Sequence, residues 1–209
     1  MAELQALGVR SVPVLSRGKE FTFGQSTKQI VDFLGLGEKS GPELPVEELM
    51  KRLDAFMGAA IELIPLMPPG RLGTHVPGRP RSYRALGFHL FRVVDAFLEA
   101  DKGTTLVQAM FREEPAADVT PDGLVAYGTE VRDRFRGWRK HGDTAAVRTL
   151  PTYYGPQSLH ELLERTTWHC GQHVRQWMML LDKEGVSHSR PLAEADFAGL
   201  PMPQNVWDG

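Results

Sequence analysis

The sequence predicts a mainly α-helical fold: a four-helix bundle with a small ββα unit at its amino end. Apolar residues recur at helical spacing in long stretches between residues 46 and 186. Proline, glycine and Ser/Thr caps fall where such helices would start and stop. Strand-like alternation lies within the first forty residues. A chain of 209 residues has room for one main core and a small appendage.

Bulk composition narrows the function. A formal net charge of −2 leaves no basic surplus to neutralise a phosphate backbone, so no nucleic-acid partner is expected. No apolar run approaches the ~20 residues of a membrane span, and the first residues lack the basic, apolar and small-residue order of a signal peptide. No membrane partner and a cytoplasmic location are therefore expected. Cys170 is the single cysteine, which rules out an intrachain disulfide, a CxxC pair and zinc-finger spacing. It reads as a small buried residue beside His169. P-loop, HExxH and Rossmann patterns are absent.

Residues 1–37 read as an αββα unit. Gly8 ends a short helix, Val9 to Leu15 alternates as a strand, Arg17-Gly18 turns, and Glu20 to Phe23 forms the partner strand. Ser26 caps a helix whose buried face is Ile30, Phe33 and Leu34, and Gly35 or Gly37 stops it. A two-stranded hairpin is marginal alone and presents open edges. Pairing with its copy in a second subunit solves this, so a homodimer is expected. Residues 38–45 form a linker.

The bundle spans residues 46–186. Its first helix carries Val46, Leu49, Leu53, Phe56, Met57, Ala60 and Ile64 at helical spacing, and Pro65 and Pro68-Pro69-Gly70 end it. A loop rich in Gly, Pro and Arg follows, to about Arg81. The second helix, Ser82 to Asp101, buries Leu86, Leu90, Val93 and Phe97, with His89 at the border of that stripe beside the small Ala85. A short helix is expected between Thr104 and Glu113. Thr120-Pro121 caps and opens the third long helix, whose face is Leu124, Tyr127, Val131, Phe135 and Trp138. Its basic residues, Arg132, Arg134, Arg136, Arg139 and Lys140, read as a solvated face plus cations near a helix carboxyl end. Ser158 and Glu161 have the spacing of a capping box and start the fourth helix. Residues 187–209 form an irregular, proline-rich tail that packs through Phe197, Leu200 and Trp207.

The fourth helix holds the informative pair. His169 and His173 are four residues apart, so at about 100° per residue their rings lie about 40° apart on one face. That face also carries Leu159, Leu162, Thr166, Trp177 and Leu180, which turns both imidazoles toward the core. Buried neutral imidazoles require partners for their ring nitrogens. Either each one hydrogen-bonds a carbonyl or sits at a wet edge, or a metal ion holds both. His89 is the candidate third ligand on a facing helix, where bundles build metal sites.

Taken together, His89 in the second helix, His169-x-x-x-His173-x-x-Gln176 in the fourth, and the preceding Tyr153-Tyr154-Gly155 loop resemble the DinB family of metal-binding four-helix bundles over roughly residues 43–186. The resemblance implies a divalent ion (zinc, nickel or iron) held by His89, His169 and His173. It also implies chemistry like that of relatives that are thiol-dependent transferases and isomerases. Three nitrogen ligands leave an open position for water or a thiol. A divalent ion lowers the pKa of what it binds and generates a nucleophile at neutral pH. Gln176, one turn past His173, is placed to hydrogen-bond a ligand or orient what binds. Tyr153 and Tyr154 are candidates for lining the mouth, and Arg92 for attracting a thiol's carboxylates.

The amino-terminal unit resembles the second half of a glutaredoxin or thioredoxin fold through Gly8 to Val14, the hairpin, and Gly24-Gln25-Ser26 opening the last helix. In that family the equivalent of Val12-Pro13 pairs with the thiol substrate. The helix start at Gln25 and Ser26 would receive a carboxylate of glutathione. The half with CxxC is missing, so this segment is either a glutathione-docking remnant or a packing module.

Two classes of function follow. The first is a metal-dependent thiol S-transferase or isomerase acting on a small electrophilic substrate, with glutathione as cosubstrate. The second is a non-enzymatic metal-binding or stress-associated protein, with a metal-dependent hydrolase as a further alternative.

Overall fold

A computed structural model describes residues 8, 14–37, 41–142, 145 and 147–207. Val12, Pro13, the short helix before Gly8 and part of the linker lie outside the described residues. The chain divides into two compact units, Met1–Glu43 and Leu44–Gly209. Among the described residues it is mainly helical, with five α-helices and small two-stranded sheets.

In the first unit, β1 (Val14–Arg17) pairs antiparallel with β2 (Glu20–Phe23), from Val14 opposite Phe23 to Arg17 opposite Glu20. The expected turn at Arg17-Gly18 is corrected to Gly18-Lys19, because Arg17 still pairs with Glu20 and the left-handed φ of +64° falls on Gly18. Helix α1 (Thr27–Leu34) starts at Ser26, whose hydroxyl accepts from the Gln29 N–H. It stops at Gly35, in the left-handed conformation at φ +66°.

In the second unit, α2 (Val46–Leu63), α3 (Tyr83–Asp101), α4 (Pro121–His141) and α5 (Leu159–Lys183) pack together. α2 and α3 each lie between α4 and α5, and the pairs α2/α3 and α4/α5 face each other across the core with few direct contacts. α2 begins after Pro45, which offers no side-chain cap, and the other three starts use the residue that the sequence marks. Ser82 accepts from Ala85 N–H, Thr120 accepts from Gly123 N–H ahead of Pro121, and Ser158 and Glu161 cap each other's backbone N–H groups.

The core joins Leu53, Phe56 and Met57 of α2, Leu90 and Phe97 of α3, Val131 and Phe135 of α4, and Leu162, Trp177 and Leu181 of α5. The fully buried Trp177 indole N–H donates to the Leu63 carbonyl at 3.2 Å, satisfying an acceptor at the carboxyl end of α2.

Two expectations change. The Arg132, Arg134 and Arg136 series is solvated in part, with Arg136 exposed, but it also pairs with acids of the facing helices. Arg132 and Arg136 both hold Asp54 of α2, at 3.0 and 2.7 Å, and Arg134 holds Asp95 of α3 at 2.7 Å, joined by the Tyr127 hydroxyl at 3.0 Å. Burial alone would raise the Asp54 and Asp95 carboxyls, but hydrogen bonds from these arginines outweigh it and hold both below the usual range. The short helix expected between Thr104 and Glu113 is a 3₁₀ turn at Gln108–Arg112. A short pair, β3 (Thr149–Leu150) with β4 (Gln157–Ser158), frames the Tyr153-Tyr154-Gly155 tip and ends at the cap of α5. No helix among the described residues is long and apolar enough to cross a membrane.

Close approach of α3 and α4 depends on Gly128, where an added Cβ would meet the buried Phe91 ring at 2.3 Å. Gly128→Ala is expected to destabilise the protein by about 1–3 kcal/mol through overpacking. By contrast, the exposed Gly137, with open space around it, should gain roughly 0.5–1 kcal/mol on substitution by Ala. Urea unfolding of the two variants checks both signs.

Candidate metal centre

Helix α5 carries His169 and His173 on its buried stripe, and the neighbouring α3 brings His89 to the same point. His89 and His173 are buried and His169 is partly so, with the Trp168 ring stacked on it at 5.5 Å. Their ligand nitrogens all lie within 4.8 Å of one another. The Nε2 atoms of His89 and His169 are 3.3 Å apart. Two nitrogens at ~2.1 Å from a tetrahedral ion are set about 3.4 Å apart, so this spacing suits a shared cation.

His173 decides whether the set fits a metal. Its Nδ1–H donates to Gln176 Oε1 at 2.6 Å, which leaves the lone pair on Nε2. That Nε2 is buried and has no hydrogen-bond partner among the described residues, as does Nδ1 of His169. For the His173 Nε2 acceptor this costs about 1–3 kcal/mol, a penalty that a cation beside it removes, whereas His169 Nδ1 carries the proton when its Nε2 faces the cation. Burial, followed by repulsion from neighbouring imidazoles and arginines, holds His89 and His169 well below their usual pKa. Burial pushes His173 down to about 4 against the opposing Gln176 hydrogen bond. All three are therefore neutral at pH 7, the form in which imidazole binds a metal. The three histidines form a site that can hold a metal ion.

Gln176 is itself held from the tail. Its Nε2 donates to the Val206 carbonyl at 3.0 Å, which also accepts from Gln172 at 2.7 Å, while Arg175 donates to the Pro203 carbonyl at 3.0 Å. The tail thus runs from Phe197, stacked on Phe56 at 5.2 Å, to Trp207 at the site. Trp207, His89, His173 and Gln176 line a cavity of about 520 Å³, together with Phe111 and Arg81. This size suits a small organic ligand.

Other predicted residues fall elsewhere. Arg92 lies outside the cavity wall, its buried guanidinium paired with Glu113 at 2.6 Å and Glu99 at 3.1 Å. Tyr153 and Tyr154 form a layer behind the wall: Tyr153 packs on Phe111 at 6.1 Å, and Tyr154 lies 5.1 Å from the Arg165 guanidinium. Gln25 and Ser26 belong to the first unit, where the Ser26 hydroxyl caps α1. The residues that sequence reasoning missed are Arg81, Phe111 and Trp207. A signal for Arg81 was present in Val76-Pro77-Gly78-Arg79, which is a turn with Gly78 at φ +70° closed by Arg79 N–H on the Val76 carbonyl. Nothing in the local sequence marked Trp207. The chain matches no protein-family model and no curated protein.

Two outcomes follow from this geometry. Well above pH 6.5 the three imidazoles are neutral in both folded and unfolded chains. Below it the unfolded chain takes up protons that the folded chain refuses. Metal-free protein should therefore lose stability as pH falls from 6.5 toward 4, by up to about 1.4 kcal/mol per pH unit for each histidine, read by denaturant unfolding across that window. Gln176→Met removes the acceptor on His173 and should lower metal affinity by about 10-fold or more with little change in helix content, checked by competition with a chromophoric chelator.

Proposed function

We propose that this chain is a DinB-like, metal-dependent thiol transferase or isomerase in which His89, His169 and His173 hold a divalent ion beside a substrate cavity. The observation that carries this reading is the buried, unpartnered Nε2 of His173, on a ring that has a ligand nitrogen within 4.8 Å of those of His89 and His169. A divalent ion in that position lowers the pKa of a thiol in its open site and supplies a thiolate at neutral pH. The protein's part is positional. Gln176 fixes the tautomer of His173, Trp207 and Phe111 wall off water, and the cavity admits the electrophile.

Glutathione is the expected thiol, on the likeness of residues 1–37 to half of a glutaredoxin. The open edges of the two-stranded hairpin motivate the expected homodimer. A purely structural ion is the less favoured reading, because a closed site takes four protein ligands and this cluster offers three next to open volume.

Purified protein should bind one equivalent of zinc or cobalt, and His173→Ala and His89→Ala should each abolish that binding. Glutathione added to the cobalt form should produce a thiolate-to-cobalt absorption band. Metal binding with a spectrum indifferent to every thiol would leave a structural ion or water chemistry. Failure to bind metal after reconstitution would reduce the three residues to core histidines.

A further inference from the structure

The cavity wall holds one more group that neither the fold nor the metal ligands use. Arg81 sits immediately before Ser82, the cap of α3, two turns from His89 on the same chain segment. Its backbone is fixed: its carbonyl accepts from Val76 N–H at 2.8 Å, and the adjoining His75–Ser82 bridge closes the hairpin. The side chain is half-buried and lines the cavity. Among the described residues its guanidinium makes no hydrogen bond or ion pair. The other charged groups on the wall are Arg79, Arg112, Glu113 and Glu114. Glu113 is occupied by Arg92 at 2.6 Å, and Glu114 reaches Arg81 only by through-space attraction. Arg81 is close enough for its charge to act on all three histidines.

A rigidly based guanidinium that faces a cavity without a partner is a fork for a planar anion. We propose that Arg81 anchors a carboxylate of the thiol that enters the histidine centre, so that the thiol substrate is a carboxylate-bearing one. The half-buried Arg81, with Glu114 in range and the wall's other two arginines, Arg79 and Arg112, exposed, matches a monoanionic carboxylate better than a phosphate dianion, which calls for more donors. The ligand then spans the cavity, with sulfur at the histidines and carboxylate at Arg81. This inference rests on the thiol reading above and names the chemistry that selects the thiol.

The test uses the cobalt-loaded full chain titrated with 3-mercaptopropionate and with the neutral 3-mercapto-1-propanol, following the charge-transfer band. The shorter pair, mercaptoacetate and 2-mercaptoethanol, is titrated alongside. At least one acid is expected to bind about 10-fold or more tightly than its alcohol. Arg81→Gln should erase that preference while leaving metal content and alcohol binding unchanged, Arg81→Lys should keep part of it, and Arg112→Gln, on the exposed rim, should keep it. Equal binding of acid and alcohol in both pairs, or a preference that survives Arg81→Gln, overturns the proposal while the band itself leaves the thiol reading standing. Absence of a band with any thiol overturns both.

Discussion

Three neutral imidazoles packed side by side in a low-dielectric interior are the constraint on which the second unit depends. Each ring brings a polar nitrogen that water no longer satisfies, and charging any of them is opposed by burial and by the arginines around them. The protein meets part of the demand itself, through Gln176 on the Nδ1 side of His173. It leaves the Nε2 side open. That asymmetry leaves the cluster able to hold a cation.

Holding the rings in register requires a stiff frame, and the frame is built from contacts distant in sequence. Asp54 and Asp95 reach from α2 and α3 to grip α4 through Arg132, Arg134 and Arg136, while Trp177 ties α5 to the end of α2. Gly171 lets Phe56 approach the stretch of α5 between the two histidines, where a Cβ would meet the ring at 2.8 Å. Phe56 in turn stacks on Phe197, so the tail is continuous with the core under the site. The tail then returns along α5, and its Val206 carbonyl accepts from both Gln172 and Gln176. A segment that reads as irregular thereby orients a histidine nitrogen.

Much of the helical framework was legible because its signals are local. The caps Ser82, Thr120 and Ser158 act within three residues, and each marks an observed helix start. Apolar periodicity likewise placed the buried faces of α2 to α5. The ion pairs of the α4 arginines were not legible because a cation's partner is a matter of which helix lies opposite, and that is invisible in a single periodic stripe. Arg92 shows the same limit: its position beside His89 on α3 suggested the site, yet Glu99 and Glu113 claim it.

Within this chain, the sequence by itself determined that His169 and His173 share one buried face of a helix, because the helical repeat makes an i, i+4 pair a local fact. It also indicated His89 as a candidate, through a small neighbour on a facing helix. Only the tertiary structure decided that the three nitrogens converge within 4.8 Å, that Gln176 takes its orientation from Val206, and that Arg81 and Trp207 share the cavity wall. Those pairings join residues tens of positions apart through chain connections that no periodicity describes. They are fixed by how helices pack and how loops close, not by any one segment's own preference.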